Sequence, residues 1–248
     1  MPRRVNLIPA AGAGARFVDA GYALPKPLLP VKGKPMIVHS ARALPEADLW
    51  VFACRVDHLR STPIEEVLRA EFPGCEIVPV AAITQGQAAT CLLAEPLLRA
   101  DDQLTIGPCD SAGVLAAGTE LWGDPLFGAR IWTFRGHQAV VQDPRMYGWV
   151  DVAPEGTVRR VSVKVPISDT PLLDHAVVGT FSFRRAADFV AAARRTITLD
   201  RRVRGEFYVD DVMNDVIAMG VRTGVLEVAR YEAWGTPADY EAFLAAAH

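Results

Sequence analysis

Leu7-Ile8-Pro9-Ala10-Ala11-Gly12-Ala13-Gly14-Ala15-Arg16, followed by Pro25-Lys26-Pro27-Leu28-Leu29-Pro30, decides the reading of this chain. The apolar run that enters it does not alternate with polar residues. Such a run reads as a strand buried on both faces, the pattern of a parallel sheet. It ends in a small glycine-rich turn closed by an arginine. Two prolines then restrict the backbone around Lys26, which holds its ammonium at low entropic cost. Backbone N–H groups and two fixed cations together make a cradle for a polyphosphate, and so point to a nucleoside triphosphate.

The turn is neither of two familiar phosphate loops. Phe17 stands where a dinucleotide fold wants its third glycine, and no clear acid for a ribose follows about 20 residues on. No Gly-Lys-Ser/Thr follows at the spacing of a Walker A loop. An NAD-linked oxidoreductase is therefore the weaker alternative.

Outward from the turn, the pattern predicts strands over 5–10, 49–54, 75–80 and 103–106. Helices are expected over 35–44, from Thr62-Pro63-Ile64-Glu65-Glu66 onward, and over 87–99. Strands separated by helices imply βαβ units. The second half changes character. Short strands are expected over 129–134, 139–142, 148–152, 158–165, 176–183 and 224–229, with a hairpin turn at Ala153-Pro154-Glu155-Gly156. Helices are expected near 185–195, over 207–219 and from Thr236-Pro237. The fold class is thus α/β: a single Rossmann-like domain with a mixed, mainly parallel sheet flanked by helices. Residues 1–125 form its nucleotide half and 126–248 its acceptor half.

Composition sets bounds on partners. Half of the 248 residues are hydrophobic, 22% are charged and the net charge is −3. No basic excess is available for nucleic acid or an anionic membrane, so a phosphate site must be local. No apolar run approaches the about 20 residues that span a bilayer. The N-terminus carries no signal-peptide pattern. Cys54, Cys75, Cys91 and Cys109 form no C-x-x-C pair and have no histidine partners nearby. They read as buried free thiols of a cytoplasmic protein. His39 and His58 read as structural, and the basic run Arg194 to Arg204 as a solvated face or subunit contact. A homo-oligomer is compatible with this reading.

The pattern Ala10-Ala11-Gly12-x-Gly14-x-Arg16 with Pro25-Lys26-Pro27-Leu28-Leu29-Pro30 resembles the N-terminal signature of the sugar-phosphate nucleotidylyltransferases. That resemblance implies a glycine turn around the triphosphate, Arg16 on its β- and γ-phosphates and Lys26 on the reacting phosphates. Further matches follow in order. Gln85-Gly86 resembles the loop that reads the base. Asp110 stands at the family's metal-binding aspartate, and Asp211 at its second, with the adjacent Asp210 as alternative. Tyr147-Gly148, Lys164 and Gly179-Thr180 resemble the acceptor pocket, and Trp234 opens the late Trp-Gly-Thr-Pro motif. The implied cofactor is Mg²⁺, which takes one or two carboxylates plus phosphate oxygens and water. The implied partners are an NTP and a small phosphorylated metabolite.

One departure bears on the acceptor. Val163 stands where the family places a glutamate before its lysine. That loss makes the pocket more apolar and opens a second reading, a cytidylyltransferase for a non-sugar phosphate. A third is a nucleotide-binding protein without catalysis. The chain is also too short for an added C-terminal β-helix domain.

Overall fold

Leu7 and Ile8, adjacent in the first strand, feed cores on opposite faces of one sheet. In the computed structural model, which describes residues 2–246, Val5 and Leu7 join a cluster with Leu104, Phe181, Phe189 and Met213. Ile8 and Ala10 join another with Ile37, Phe52 and Leu68. Alternating side chains leave a strand on opposite faces, so a strand apolar at every position must be covered twice. Each fully buried Leu or Ile contributes roughly 1.5–3 kcal/mol.

The first part of the chain runs β1 (Arg4–Ala10), α1 (Ala15–Asp19), the short β2 (Pro30–Val31) and β3 (Lys34–Pro35), α2 (Met36–Arg42), β4 (Leu49–Arg55), α3 (Val56–Ser61), α4 (Ile64–Glu71), β5 (Glu76–Val80), α5 (Gln87–Leu92) and β6 (Gln103–Ile106). β1 is flanked by β4 and β6 in parallel register, and β5 continues the parallel order beyond β4. The rest comprises β7 (Ser111–Val114), β8 (Ala129–Phe134), α6 (Ala139–Gln142), β9 (Gly148–Val152), β10 (Val158–Val163), β11 (His175–Phe183), α7 (Ala186–Thr198), α8 (Val209–Ala218), β12 (Thr223–Glu227), β13 (Arg230–Ala233) and α9 (Pro237–Ala246).

Among the described residues the main sheet has nine strands, in the order β10-β9-β11-β6-β1-β4-β5, with β8 paired to β11 and β12 to β8. β11 runs antiparallel to β6, so one sheet passes through both halves of the chain. α5, α7 and α8 cover one face, α2 and α4 the other. No helix among the described residues is long and apolar enough to cross a membrane.

Three expectations change. Residues 139–142 form a turn of helix rather than a strand. A short apolar run carries no period that distinguishes the two. The helix expected over 87–99 ends at Leu92, and Pro96 lies in a 3₁₀ turn, Glu95–Leu97; a proline cannot continue the α-helical hydrogen bonding. The small sheet of β7 with β13 has no counterpart among the expected strands. It matters for the site, because it brings the chain after β13 to the end of β6, where Trp234 N donates to Asp110 O at 3.0 Å.

Candidate active site

β1 and β6 are parallel neighbours, so their C-terminal ends open on the same edge of the sheet. Parallel sheets bind ligands at that edge. A cleft of about 530 Å³ lies there, lined by residues 9–14, 22–27, 83–87 and 108–110, with Gly205 and Glu206 closing one side.

The glycine turn leaves room for a ligand. A side chain at Gly12 would meet nothing within 4 Å. Gly14 takes φ +63° and caps α1, with Phe17 N donating to its carbonyl at 2.9 Å. Such a backbone is costly for any residue with a Cβ. Ala10 and Ala11 are buried but border the cleft. Arg16 extends from α1 into solvent, with Nη2 3.9 Å from Met146 Sδ.

Lys26 begins the 3₁₀ turn Lys26–Leu28. Its ammonium forms an ion pair with Asp110 and donates to Gly235 O at 3.3 Å. Burial pulls the Lys26 ammonium down, but the Asp110 carboxylate more than restores it and holds it above the ordinary lysine value. Burial likewise pushes Asp110 up, and the Lys26 charge overrides it, so Asp110 stays below the usual carboxylate range. Both groups remain ionised at neutral pH because they are paired. Cys109 beside them is pushed by burial up to about 12 and stays a thiol.

Lys164 holds the turn after α6. Lys164 Nζ donates to Met146 O, and Lys164 N donates to Tyr147 O at 3.0 Å. Lys164 itself adopts φ +61°. Burial lowers its affinity for a proton; Asp210 opposes that, and Arg204 and Arg16 add to it. Tyr147 packs edge-on to Phe134 at 5.7 Å, and burial pushes its hydroxyl up to about 12. Gly148 is required by contact, since a methyl group there would land on the Asp210 carboxylate.

The two acids that open α8 divide. Asp211, expected as the second metal ligand, accepts from Asn214 Nδ2 at 3.0 Å and pairs with Arg201 at 3.7 Å. Asp210 instead lies against Gly148 in the field of Lys164, and burial raises its carboxyl above the ordinary value. Adjacent residues on a helix point about 100° apart. Asn214 hooks the helix to β10 through both Val161 N (2.8 Å) and Val161 O (3.0 Å), which holds Asp211 on the side of β10 and Arg201.

Other expected residues fall behind the site rather than on it. Trp234 is fully buried, packed with Phe17, Val31 and Met36 and edge-on to His39 at 5.1 Å. It supports the floor under Lys26 instead of lining an acceptor pocket. Thr180 is 1% exposed, whereas Gly179, at φ +96° in an irregular stretch of β11, faces Pro108. Val163 is 7% exposed and belongs to the main core. Gln85 and Gly86 do border the cleft.

The structure also brings to the site residues that the sequence reads as structural or as a solvated basic face. His58 lines the cleft, and its Nδ1 is buried without a partner among the described residues. Arg202 reaches Gln85, and Arg204 acts on Lys164. The expected basic face is largely paired: Arg195 and Arg201 both serve the buried Asp215, and Arg194 pairs with Glu95 at 2.8 Å. Contacts so distant in sequence leave no local signal.

Residues 6–118 match the MobA-like NTP transferase domain. No curated protein matches the chain. Among solved structures, a nucleoside-diphosphate-sugar pyrophosphorylase from Vibrio cholerae RC9 is similar at 23% identity and TM-score 0.78, over 97% of this chain and 99% of that one. An inositol-1-phosphate CTP transferase from T. maritima is similar at 15% identity and TM-score 0.73, over 98% and 95%. A candidate glucose-1-phosphate thymidylyltransferase from Bacillus anthracis, in complex with a sucrose, is similar at 18% identity and TM-score 0.74, over 98% and 95%. These likenesses show the fold along nearly the whole length, and within it residues 6–118 are similar to the MobA-like NTP transferase domain.

Proposed function

We propose that the chain is a nucleotidylyltransferase that moves an NMP group from an NTP to the phosphate of a small metabolite, a sugar 1-phosphate or a related phosphate, with release of pyrophosphate. The observation that carries this reading is the ion pair of Lys26 with Asp110, set in a cleft that the glycine turn, Gln85 and Gly86 also line.

The reaction needs no protein nucleophile. An acceptor phosphate oxygen attacks the α-phosphorus, and the bond to pyrophosphate breaks. The protein must hold two anions that repel each other and stabilise charge on the leaving group. In this reading the glycine turn and Arg16 hold the β- and γ-phosphates, and Lys26 stands at the phosphate under attack. Lys164, which burial inclines to lose its proton, regains a strong counter-charge when an acceptor phosphate arrives. Gln85 and Gly86 meet the base. Tyr147, Gly148 and Gly179 border the acceptor, with Thr180 and Trp234 supporting from behind.

Mg²⁺ would be held by Asp110 and Asp210. Asp110 lines the cleft and Asp210 lies against Gly148, and Mg²⁺ takes one or two carboxylates and completes its shell with phosphate oxygens and water. When bound, it would supply positive charge to the reacting phosphates.

Val163 is packed into the main core rather than the cleft, so the sequence difference at that position does not by itself choose between a sugar phosphate and the non-sugar cytidylyltransferase reading. Pyrophosphate release, measured with each NTP against a panel of sugar 1-phosphates, inositol 1-phosphate and phosphocholine with Mg²⁺, tests both. Nucleotide binding without turnover across the panel would favour a non-catalytic role.

A further inference from the structure

Gln85 and Arg202 are far apart in sequence, yet Arg202 Nη2 donates to Gln85 Oε1 at 2.8 Å. A guanidinium has only donors. The amide must therefore present its oxygen to Arg202, and its NH₂ group is turned the other way. Among the described residues Nε2 has no partner of its own.

Arg202 is itself firmly placed. Its Nε donates to Asp200 Oδ1 at 2.6 Å, its Nη1 to Gly205 O at 3.2 Å, and its guanidinium lies 4.2 Å from the Phe207 ring centroid. The loop that carries it is closed by Val203 and Glu206, which exchange backbone hydrogen bonds at 3.0 Å. It also contains two non-glycine residues in left-handed conformation, Asp200 and Arg204. The loop is joined directly to the Gln85 segment: Phe207 N donates to Gln85 O at 2.8 Å, and Ala88 N to Phe207 O at 3.0 Å. Gln85, Gly205 and Glu206 all face the cleft.

Building on the nucleotidyl-transfer reading, we propose that Arg202 is a positioning residue for base selection: it locks the Gln85 amide so that only its donor group is offered to the base. A base presenting a carbonyl or ring-nitrogen acceptor at that edge is complemented. A base presenting an amino group there is opposed, since two facing donors leave both unpaired. An unrestrained amide would rotate about its terminal bond and serve either pattern. Arg202 thus sets the difference between nucleotides more than the strength with which any is held.

Calorimetric titration of ATP, CTP, GTP and UTP, each with Mg²⁺, into the wild type, Arg202→Ala and Gln85→Glu tests this. Arg202→Ala is expected to shrink the ratio between the weakest and tightest Kd by about 3- to 10-fold, the scale of one discriminating hydrogen bond. Gln85→Glu keeps the partner of Arg202 and removes the donor. It is expected to weaken the preferred nucleotide by about tenfold or more while the melting temperature does not fall. Equal weakening of all four nucleotides by Arg202→Ala assigns Arg202 a structural role and overturns the proposal. So does an unchanged Kd in Gln85→Glu. A wild type that binds no nucleotide at all overturns the functional reading, and this inference with it.

Discussion

Lys26, clamped between two prolines, is ion-paired with Asp110 at the end of β6, and Gly235 O receives the same ammonium. The pair keeps both charges in a half-buried site, where either alone would tend to neutralise. Under the proposed reaction, a triphosphate in the cleft would offer Lys26 a phosphate oxygen in place of the carboxylate, and Asp110 would then be available to a cation.

Replacing Lys26 by Met removes the cation beside the reacting phosphate. The kcat for pyrophosphate release is expected to fall about 10²- to 10³-fold. The KM for NTP should change far less, because the glycine turn and Arg16 remain. A variant with wild-type kcat would remove Lys26 from the chemistry.

Arg16→Ala is expected to show the opposite split. Arg16 is exposed, and among the described residues its side chain has only the weak contact to Met146 Sδ. Its loss should raise the KM for NTP roughly tenfold with little change in kcat, the signature of lost ground-state binding. The melting temperature should stay within a degree or two, since surface changes of this kind are nearly neutral.

Asp210→Asn is expected to abolish turnover and yet stabilise the fold at neutral pH. Burial raises the Asp210 carboxyl above its ordinary value. The folded state therefore binds a proton that the unfolded state has released, and the stability of the wild type falls as pH rises from the ordinary value, about 4, through the raised one. Asparagine removes that penalty. The gain in melting temperature should be present at pH 7–8 and vanish below about pH 4. A variant less stable than wild type at pH 8 would contradict this assignment.

Gly86→Ala should unfold at lower urea. Gly86 has φ +129°, and an added Cβ would lie 2.5 Å from Phe207 N and 2.6 Å from Phe207 O. Those are backbone atoms that hydrogen-bond to either side of the glycine, so they cannot move aside cheaply. Backbone strain and overpacking together predict a loss of about 2–4 kcal/mol, read as a lower midpoint at constant slope.

Where local chemistry dictates structure, the sequence was legible. The strand β1, the left-handed glycine after it and the helix start at Thr236-Pro237 each follow from a few neighbouring residues. At the last of these, Asp239 N donates to Thr236 Oγ1 at 3.1 Å and the threonine hydroxyl donates to Asp239 Oδ2 at 2.7 Å. Where the outcome depended on what lies opposite, it was not. The run at 139–142 has no period of its own, and Trp234 looks the same in a sequence whether it faces substrate or core. It is buried because β13 pairs with β7 and leads the chain under Lys26.

By itself, the sequence determined a doubly buried strand ending in a glycine-rich turn with a fixed lysine beyond it, because an apolar run, small residues and two prolines act within one stretch of chain. Only the tertiary structure decided the far side of the site. Asp210 and Asp211 are chemically identical neighbours. Which one lies against Gly148, on the side of Lys164, is set by the rotation of α8, by the hold of Asn214 on β10, and by the space that Gly148 leaves for one carboxylate. A helix turns about 100° per residue, so the docking of its inner face chooses between them.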